Sequence, residues 1–291
     1  MDRLKIIVNL FRVHQWVKNV LCFAGLFFAQ KLLDGDAVLS ALRCFFAFSL
    51  AASGVYILND LSDLERDRVH PKKRFRPLAS GRISRSAAWA LLALSFAGST
   101  VLAVGLSRWI SVLLLAYVAQ NFLYSWGLKK VPILDVFIVS SGFVWRALAG
   151  VLAVNAPVSS WLVLCTFLLS LLISFAKRKS EFVSLGESAG DHRDALRGYT
   201  LAQLDSYLSI MAGCAILCYA LYCLDVRTIE KFGHNLLITF PFVVFGILRF
   251  LHVATNADES DPILVFFKDR ALVLSALSWG LSLMGLLYFA H

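Results

Sequence analysis

Residues 37–67 read AVLSALRCFFAFSLAASGVYILNDLSDLERD. From Ala37 to Leu58 the only charged side chain is Arg43. That length covers the roughly 20 apolar residues a helix needs to cross a bilayer. Asn59, Asp60, Asp63, Glu65 and Asp67 follow at once. A segment with the composition of a membrane span thus runs straight into a turn dense in carboxylates, and the rest of the chain has to be compatible with both.

The same apolar texture recurs along the chain. The 291 residues are 59% hydrophobic and 16% charged, with mean hydropathy +0.72, where soluble domains run at about 45–50% apolar. Nine stretches are candidate spans: 16–33, 37–58, 86–106, 109–126, 132–153, 159–176, 203–224, 235–252 and 271–289. The first is the weakest, since it holds Lys18, Asn19 and Gln30. An open sheet would leave backbone groups unpaired in lipid, and the runs do not alternate as barrel strands do. The expected fold is therefore all-α: one domain over 1–291, a polytopic bundle of nine transmembrane helices.

Charge placement sets the orientation. Net charge is +9; on a soluble protein that would suggest nucleic acid, but here the loops decide. Arg66, Arg68, Lys72, Lys73, Arg74, Arg76, Arg82 and Arg85 crowd one loop, and Lys177, Arg178, Lys179, Arg193 and Arg197 another. The alternate loops hold only Lys31, Arg108, Arg227 and Lys231. The positive-inside rule then puts the N-terminus and the 59–85 and 177–202 loops in the cytoplasm and the C-terminus outside. Met1–Gln15 is polar, so no cleavable signal peptide is expected. Cys22, Cys44, Cys165, Cys214, Cys218 and Cys223 fall within the apolar runs without zinc-site spacing and read as packing residues.

Most of the polar chemistry lies in the 59–85 and 177–202 loops, after the second and sixth spans. On a helix, at about 100° per residue, Asn59, Asp60, Asp63 and Asp67 fall near 0°, 100°, 40° and 80°, and Glu65 points elsewhere. Carboxylates on one face beside a membrane are costly unless a cation neutralises them. Oxygen-only ligands suit Mg²⁺ or Mn²⁺. Pro71 is expected to end this helix; Lys72, Lys73, Arg74 and Arg76 follow and are suited to clamping diphosphate oxygens. After the sixth span, Lys177, Arg178 and Glu181 again share a face, now with two cations and one carboxylate, which suits an anionic phosphate.

Asn59-Asp60, Asp63, Asp67, His70-Pro71, Lys72, Arg76-Pro77 and Ser80-Gly81 resemble the first aspartate-rich motif of the UbiA-type intramembrane prenyltransferase superfamily. The resemblance covers nearly the whole chain. It implies helices around a central cavity, with Mg²⁺ held through Asp60, Asp63 and Asp67 and supported by Asn59. The second aspartate motif usual in that superfamily is replaced here by Lys177-Arg178-Lys179-Ser180-Glu181. That departure, with Arg12-x-His14-Gln15-Trp16-x-Lys18-Asn19 and the Arg197–Thr200 segment, resembles the polyprenyl-phosphate phosphoribosyltransferase branch. The branch implies transfer of 5-phosphoribose from phosphoribosyl diphosphate (PRPP) to a decaprenyl-like phosphate, at the cytoplasmic face of a bacterial-type plasma membrane.

The resulting catalytic candidates are Asp60, Asp63, Asp67, Lys177 and Glu181. Candidate substrate and phosphate contacts are Lys18, Asn59, Lys72, Arg76, Lys130, Arg146, Arg178, Arg197 and Tyr199. Arg146 lies mid-span, where a buried arginine is by default a functional hypothesis; a structural pairing is the alternative. Asp135 opens the fifth span after Lys129-Lys130 and is open to either reading. Two other functions compete. An aromatic-acceptor prenyltransferase would use an isoprenyl diphosphate donor. A non-enzymatic lipid carrier would need polar residues tracing a path across the bilayer, and Arg146 stands almost alone at depth.

Overall fold

The computed structural model describes residues 3–70, 73–185, 194–232, 234–256 and 262–289. The described residues are helical, with no strand. They form α1 (Arg3–Leu10), a 3₁₀ segment (Val13–Phe23), α2 (Ala24–Phe28), α3 (Gly35–Ser62), α4 (Leu64–Val69), α5 (Arg85–Ala103) and α6 (Arg108–Trp126). Then come α7 (Leu134–Ala153), α8 (Ser160–Leu185), α9 (Leu201–Leu224), α10 (Val226–Phe232), α11 (Phe240–Asn256), α12 (Pro262–Lys268) and α13 (Arg270–Phe289).

Among the described residues, seven helices are long and apolar enough to cross a membrane: α3, α5, α7, α8, α9, α13 and the segment Asn235–Ala254 that includes α11. Large apolar side chains such as Leu94, Val101, Leu217 and Leu274 stand exposed along them, as lipid-facing residues must. The protein is thus an all-helical integral membrane protein. Two expected spans look different. Helix α6 has the length but carries Arg108, Gln120 and Asn121 and falls outside the seven. The 16–33 stretch is not one helix: a 3₁₀ run gives way to the five-residue α2, which ends before Gln30 at φ 57°. Its polar residues turn onto α3. Trp16 Nε1 donates to Ser53 Oγ at 3.1 Å and Asn19 Nδ2 to Ser49 Oγ at 2.9 Å.

The chain divides into two compact units. The first comprises residues 1–126 and Trp145–Val158. Here α3 packs on α5, and Cys44, Ala47, Phe48 and Ala51 are buried with Ile110 and Tyr117 of α6. Small residues let backbones meet, the usual route to helix association where no hydrophobic drive exists between helices. A Cβ on Gly150 would overlap the Cys22 carbonyl, and one on Gly25 would overlap the backbone of Gly150 and Val151.

The second unit comprises Gly127–Val144 and residues 159–291, so α7 contributes to both. Leu171, Leu172 and Phe175 of α8 pack with Leu204 and Leu208 of α9, Phe250 of α11 and Leu272 of α13. A capping box between Thr200 and Gln203 starts α9. The six cysteines are free thiols.

Candidate functional site

The carboxylate turn belongs to the first unit. Helix α3 carries Asn59 and Asp60 in its last turns, stops at Ser62, and resumes as α4 after Asp63, whose φ of −96° and ψ of 9° break the helix. The expected uninterrupted helix to Pro71 is therefore kinked at one of its own aspartates. Asp60 and Asp67 still come together, and both are buried.

Arg76 joins them. Its Nη1 donates to Asp60 Oδ1 at 3.1 Å and to Asp67 Oδ2 at 2.7 Å. Leu78, two residues on, is buried with Leu10, Ile57, Leu64 and Ala88, which anchors the loop that carries Arg76. Gly81 at φ 72° turns that loop back, and the amides of Arg82 and Ile83 both donate to the Pro77 carbonyl. A second guanidinium comes from far away in sequence. Arg12 Nη2 donates to Asp60 Oδ1 at 2.5 Å and lies 4.5 Å from the centre of the Tyr56 ring. Lys73 Nζ sits 4.0 Å from Asp67 Oδ1.

Asp63 is half-buried and does not join this pair. With Leu61, Glu65, Arg66, Arg85 and Trp89 it lines an open groove of ≈ 500 Å³. Among the described residues no three His, Cys, Asp or Glu side chains are grouped to hold a metal ion. The donor chemistry nevertheless fits a hard cation. Two carboxylates converge on one point, and Mg²⁺ commonly takes one or two carboxylates and fills its remaining positions with water and substrate phosphate.

The second polar cluster belongs to the second unit. Arg178 on α8 is buried; its Nε donates to Asp135 Oδ2 at 2.8 Å and its Nη1 to Glu181 Oε2 at 2.6 Å. Asp135, fully buried at the start of α7, also accepts from the Tyr199 hydroxyl at 3.1 Å. That hydroxyl in turn accepts from the Ile133 amide. Burial pushes the Tyr199 hydroxyl well above its ordinary value, keeping it a neutral donor to Asp135. Ile133 sits at φ 66°, a left-handed backbone that a β-branched residue rarely adopts and that marks a constrained turn. Gly198 explains the fit opposite: a Cβ there would overlap the Pro132 ring. Lys179 Nζ pairs with Asp205 at 2.6 Å. Lys177 is half-buried and makes no ion pair among the described residues.

The remaining expected residues are more scattered. Lys18 is half-buried in the 3₁₀ segment, and Asn59 is half-buried on α3. Lys130 and Arg197 are exposed in 3₁₀ turns, and Lys72 lies outside the described residues. Arg146 is buried in the first unit. Its Nε donates to Asn19 Oδ1 at 2.5 Å and its Nη2 to the Tyr117 hydroxyl at 3.0 Å, with the guanidinium 4.7 Å from that ring's centre. It ties α7 to the 3₁₀ segment and α6. From sequence, Arg12 stands in the N-terminal motif without a site role, and Asp135 is open to either reading. The clue to Asp135 was a carboxylate directly before a long apolar run.

Comparison with known proteins agrees with this architecture. The model of the UbiA prenyltransferase family matches residues 19–271, across both units. A protein of Mycolicibacterium smegmatis named decaprenyl-phosphate phosphoribosyltransferase is 30% identical, over 98% of this chain and 93% of its own. One of the same name from Mycobacterium tuberculosis is 33% identical, over 94% of this chain and 91% of its own. The solved structure of a UbiA homologue from Archaeoglobus fulgidus, bound to GPP and Mg²⁺, superposes with a TM-score of 0.72 at 18% identity, covering 96% of this chain and 99% of that one. Matched by the family's model over most of its length and by such relatives over nearly all of it, the chain belongs to the UbiA prenyltransferase family.

Proposed function

We propose that the protein transfers 5-phosphoribose from PRPP to a polyprenyl phosphate, releasing diphosphate. One observation carries the reading: relatives named decaprenyl-phosphate phosphoribosyltransferase match it over 98% and 94% of its length, at 30% and 33% identity. The second cluster supports it. Ionising an allylic diphosphate favours a second carboxylate pair for metal, whereas here Glu181 is held by Arg178. We further propose nine membrane segments, an inward N-terminus, an outward C-terminus, and both clusters at the cytoplasmic face of a bacterial-type plasma membrane.

In this reaction the bond from C1 of the ribose to the diphosphate oxygen breaks, and its electron pair leaves with the diphosphate. A bond forms from C1 to a lipid phosphate oxygen arriving on the opposite face. The nucleophile is already an anion, so no residue need act as a strong base. Asp60 and Asp67, with Asp63 and a supporting Asn59, would hold Mg²⁺ or Mn²⁺, which when bound neutralises charge building on the leaving diphosphate.

The chain's own residues supply placement. Arg76 and Lys72 clamp diphosphate oxygens. Lys177 touches a substrate phosphate. Arg178 acts through position: Asp135 and Glu181 fix its guanidinium, and Tyr199 fixes Asp135. Lys18, Lys130 and Arg197 are further proposed anion contacts. Arg146 is proposed to position Asn19, next to Lys18. Orientation and charge neutralisation together supply most of the rate enhancement in such a site.

The test is a transfer assay with purified protein, Mg²⁺, polyprenyl phosphate and labelled PRPP. Label entering the lipid phase, and stopping with EDTA, is the expected result. Absence of transfer, with turnover of an isoprenyl diphosphate and an aromatic acceptor instead, would replace this reading with prenyl transfer.

A further inference from the structure

The four groups of the first cluster are unequal in freedom. The side chains of Asp60 and Asp67 are 3% exposed, those of Arg12 and Arg76 23% and 30%. The carboxylates are fixed by burial, and the guanidinium groups are the parts that can move. The backbone behind Arg12 is also fixed. The Phe11 carbonyl accepts from Ser53 Oγ at 2.8 Å, and Trp16 donates to the same hydroxyl. Arg12 itself is left-handed, at φ 49° and ψ 48°, a conformation a non-glycine residue keeps only where its surroundings impose it. The segment thus presents the Arg12 side chain at Asp60 from an anchored base.

Charge counting shows what this does. Two carboxylates meet two guanidinium groups, so the pair is already neutral, and Lys73 stands close by. A bare divalent cation would have to expel both arginines from buried acceptors and leave them without anionic partners. A cation arriving with diphosphate brings new anionic oxygens onto which both guanidinium groups can move.

We propose that Arg12 and Arg76 are resident counter-ions that reserve Asp60 and Asp67 for a metal–diphosphate pair, so that metal and diphosphate bind together and bare metal binds poorly. This rests on the reading of the Asp60–Asp67 pair as the diphosphate site. The coupling is reciprocal, because what one ligand does for the other's affinity must hold in reverse.

The experiment is equilibrium dialysis of the full chain in detergent against radiolabelled Mn²⁺, with and without inorganic diphosphate. The wild type is expected to take up metal at least ~10-fold more tightly with diphosphate than without. Arg12→Gln combined with Arg76→Gln is expected to tighten uptake of Mn²⁺ alone by ~10-fold or more. If the double variant does not fold, Arg12→Gln alone carries that arm, and the wild-type comparison needs no variant. Equal wild-type affinity in both conditions, or a folded variant with unchanged affinity for Mn²⁺ alone, would overturn the counter-ion role while leaving the diphosphate site standing. No metal uptake by the wild type in either condition would remove the site reading and this proposal together.

Discussion

Arg178 and Asp135 form an ion pair 2.8 Å long with 4% and 0% of their side chains exposed. A guanidinium so enclosed, with a second carboxylate at Glu181, is a structural hub before it is a ligand. Removing one partner of a buried pair typically costs about 3–5 kcal/mol. Asp135→Asn and Arg178→Met are therefore expected to lower the unfolding temperature in detergent markedly. Unchanged melting of both variants would show that the pair does not hold the second unit together.

Lys177 is expected to behave in the opposite way. It neighbours Arg178 but is half-buried and outside that network. Lys177→Ala should melt like the wild type and raise the KM for one phosphorylated substrate by ~10-fold or more, as loss of a charge-assisted contact implies. Steady-state kinetics with each substrate varied in turn is the measurement. Unchanged KM for both would reduce Lys177 to a charge that only orients α8 in the membrane.

Substitution tests whether Asp67 and Asp63 share one role. Asp67→Asn is expected to reduce turnover by at least ~10²-fold in a folded protein, the scale on which a stabiliser of developing charge acts. Asp63 lies at the helix break and lines the groove instead of meeting Arg76. If substrate draws it in, Asp63→Asn falls as far as Asp67→Asn. Full activity of Asp63→Asn would leave Asp60 and Asp67 as the metal-holding pair.

Alkaline pH supplies a further check. A group whose folded pKa is raised contributes stability that is complete below its unfolded pKa and is lost as pH rises through the folded value. For Tyr199, burial raises the pKa above the ordinary tyrosine value of about 10, so the loss begins there. Melting temperature should fall less for Tyr199→Phe than for the wild type between about pH 10 and pH 11. Parallel curves would show that Tyr199 ionises no differently in the folded chain.

Gly150 tests the packing. A methyl group there would run into the Cys22 carbonyl, which belongs to backbone and cannot turn aside. Overpacking of this kind typically costs about 1–3 kcal/mol. Gly150→Ala should lower the melting temperature, and a neutral result would mean that the 3₁₀ segment shifts freely.

Local pattern carried much of this into the sequence. Asp60 and Asp67 are seven residues apart, close to two helical turns, so a single wheel places them together even though the helix breaks at Asp63. Apolar run length sufficed for α3, α5, α7, α8, α9 and α13. What stayed hidden was non-local. Arg12 meets Asp60 across 48 positions, and Tyr199 meets Asp135 across 64. The 3₁₀ run was hidden for a related reason: its polar side chains bond to α3 serines, and no periodicity announces a partner on another helix.

The order of residues around the carboxylate turn also bears on how the chain is made. Arg12, Asp60, Asp67, Lys73 and Arg76 all precede residue 77 of 291. Arg12 is translated well before Asp60, and Arg76 follows soon after Asp67. An unpaired carboxylate at the membrane is costly, and here a cation is translated ahead of it and another close behind. The nascent chain thus has the means to neutralise its acidic turn while most of the second unit is still unread message.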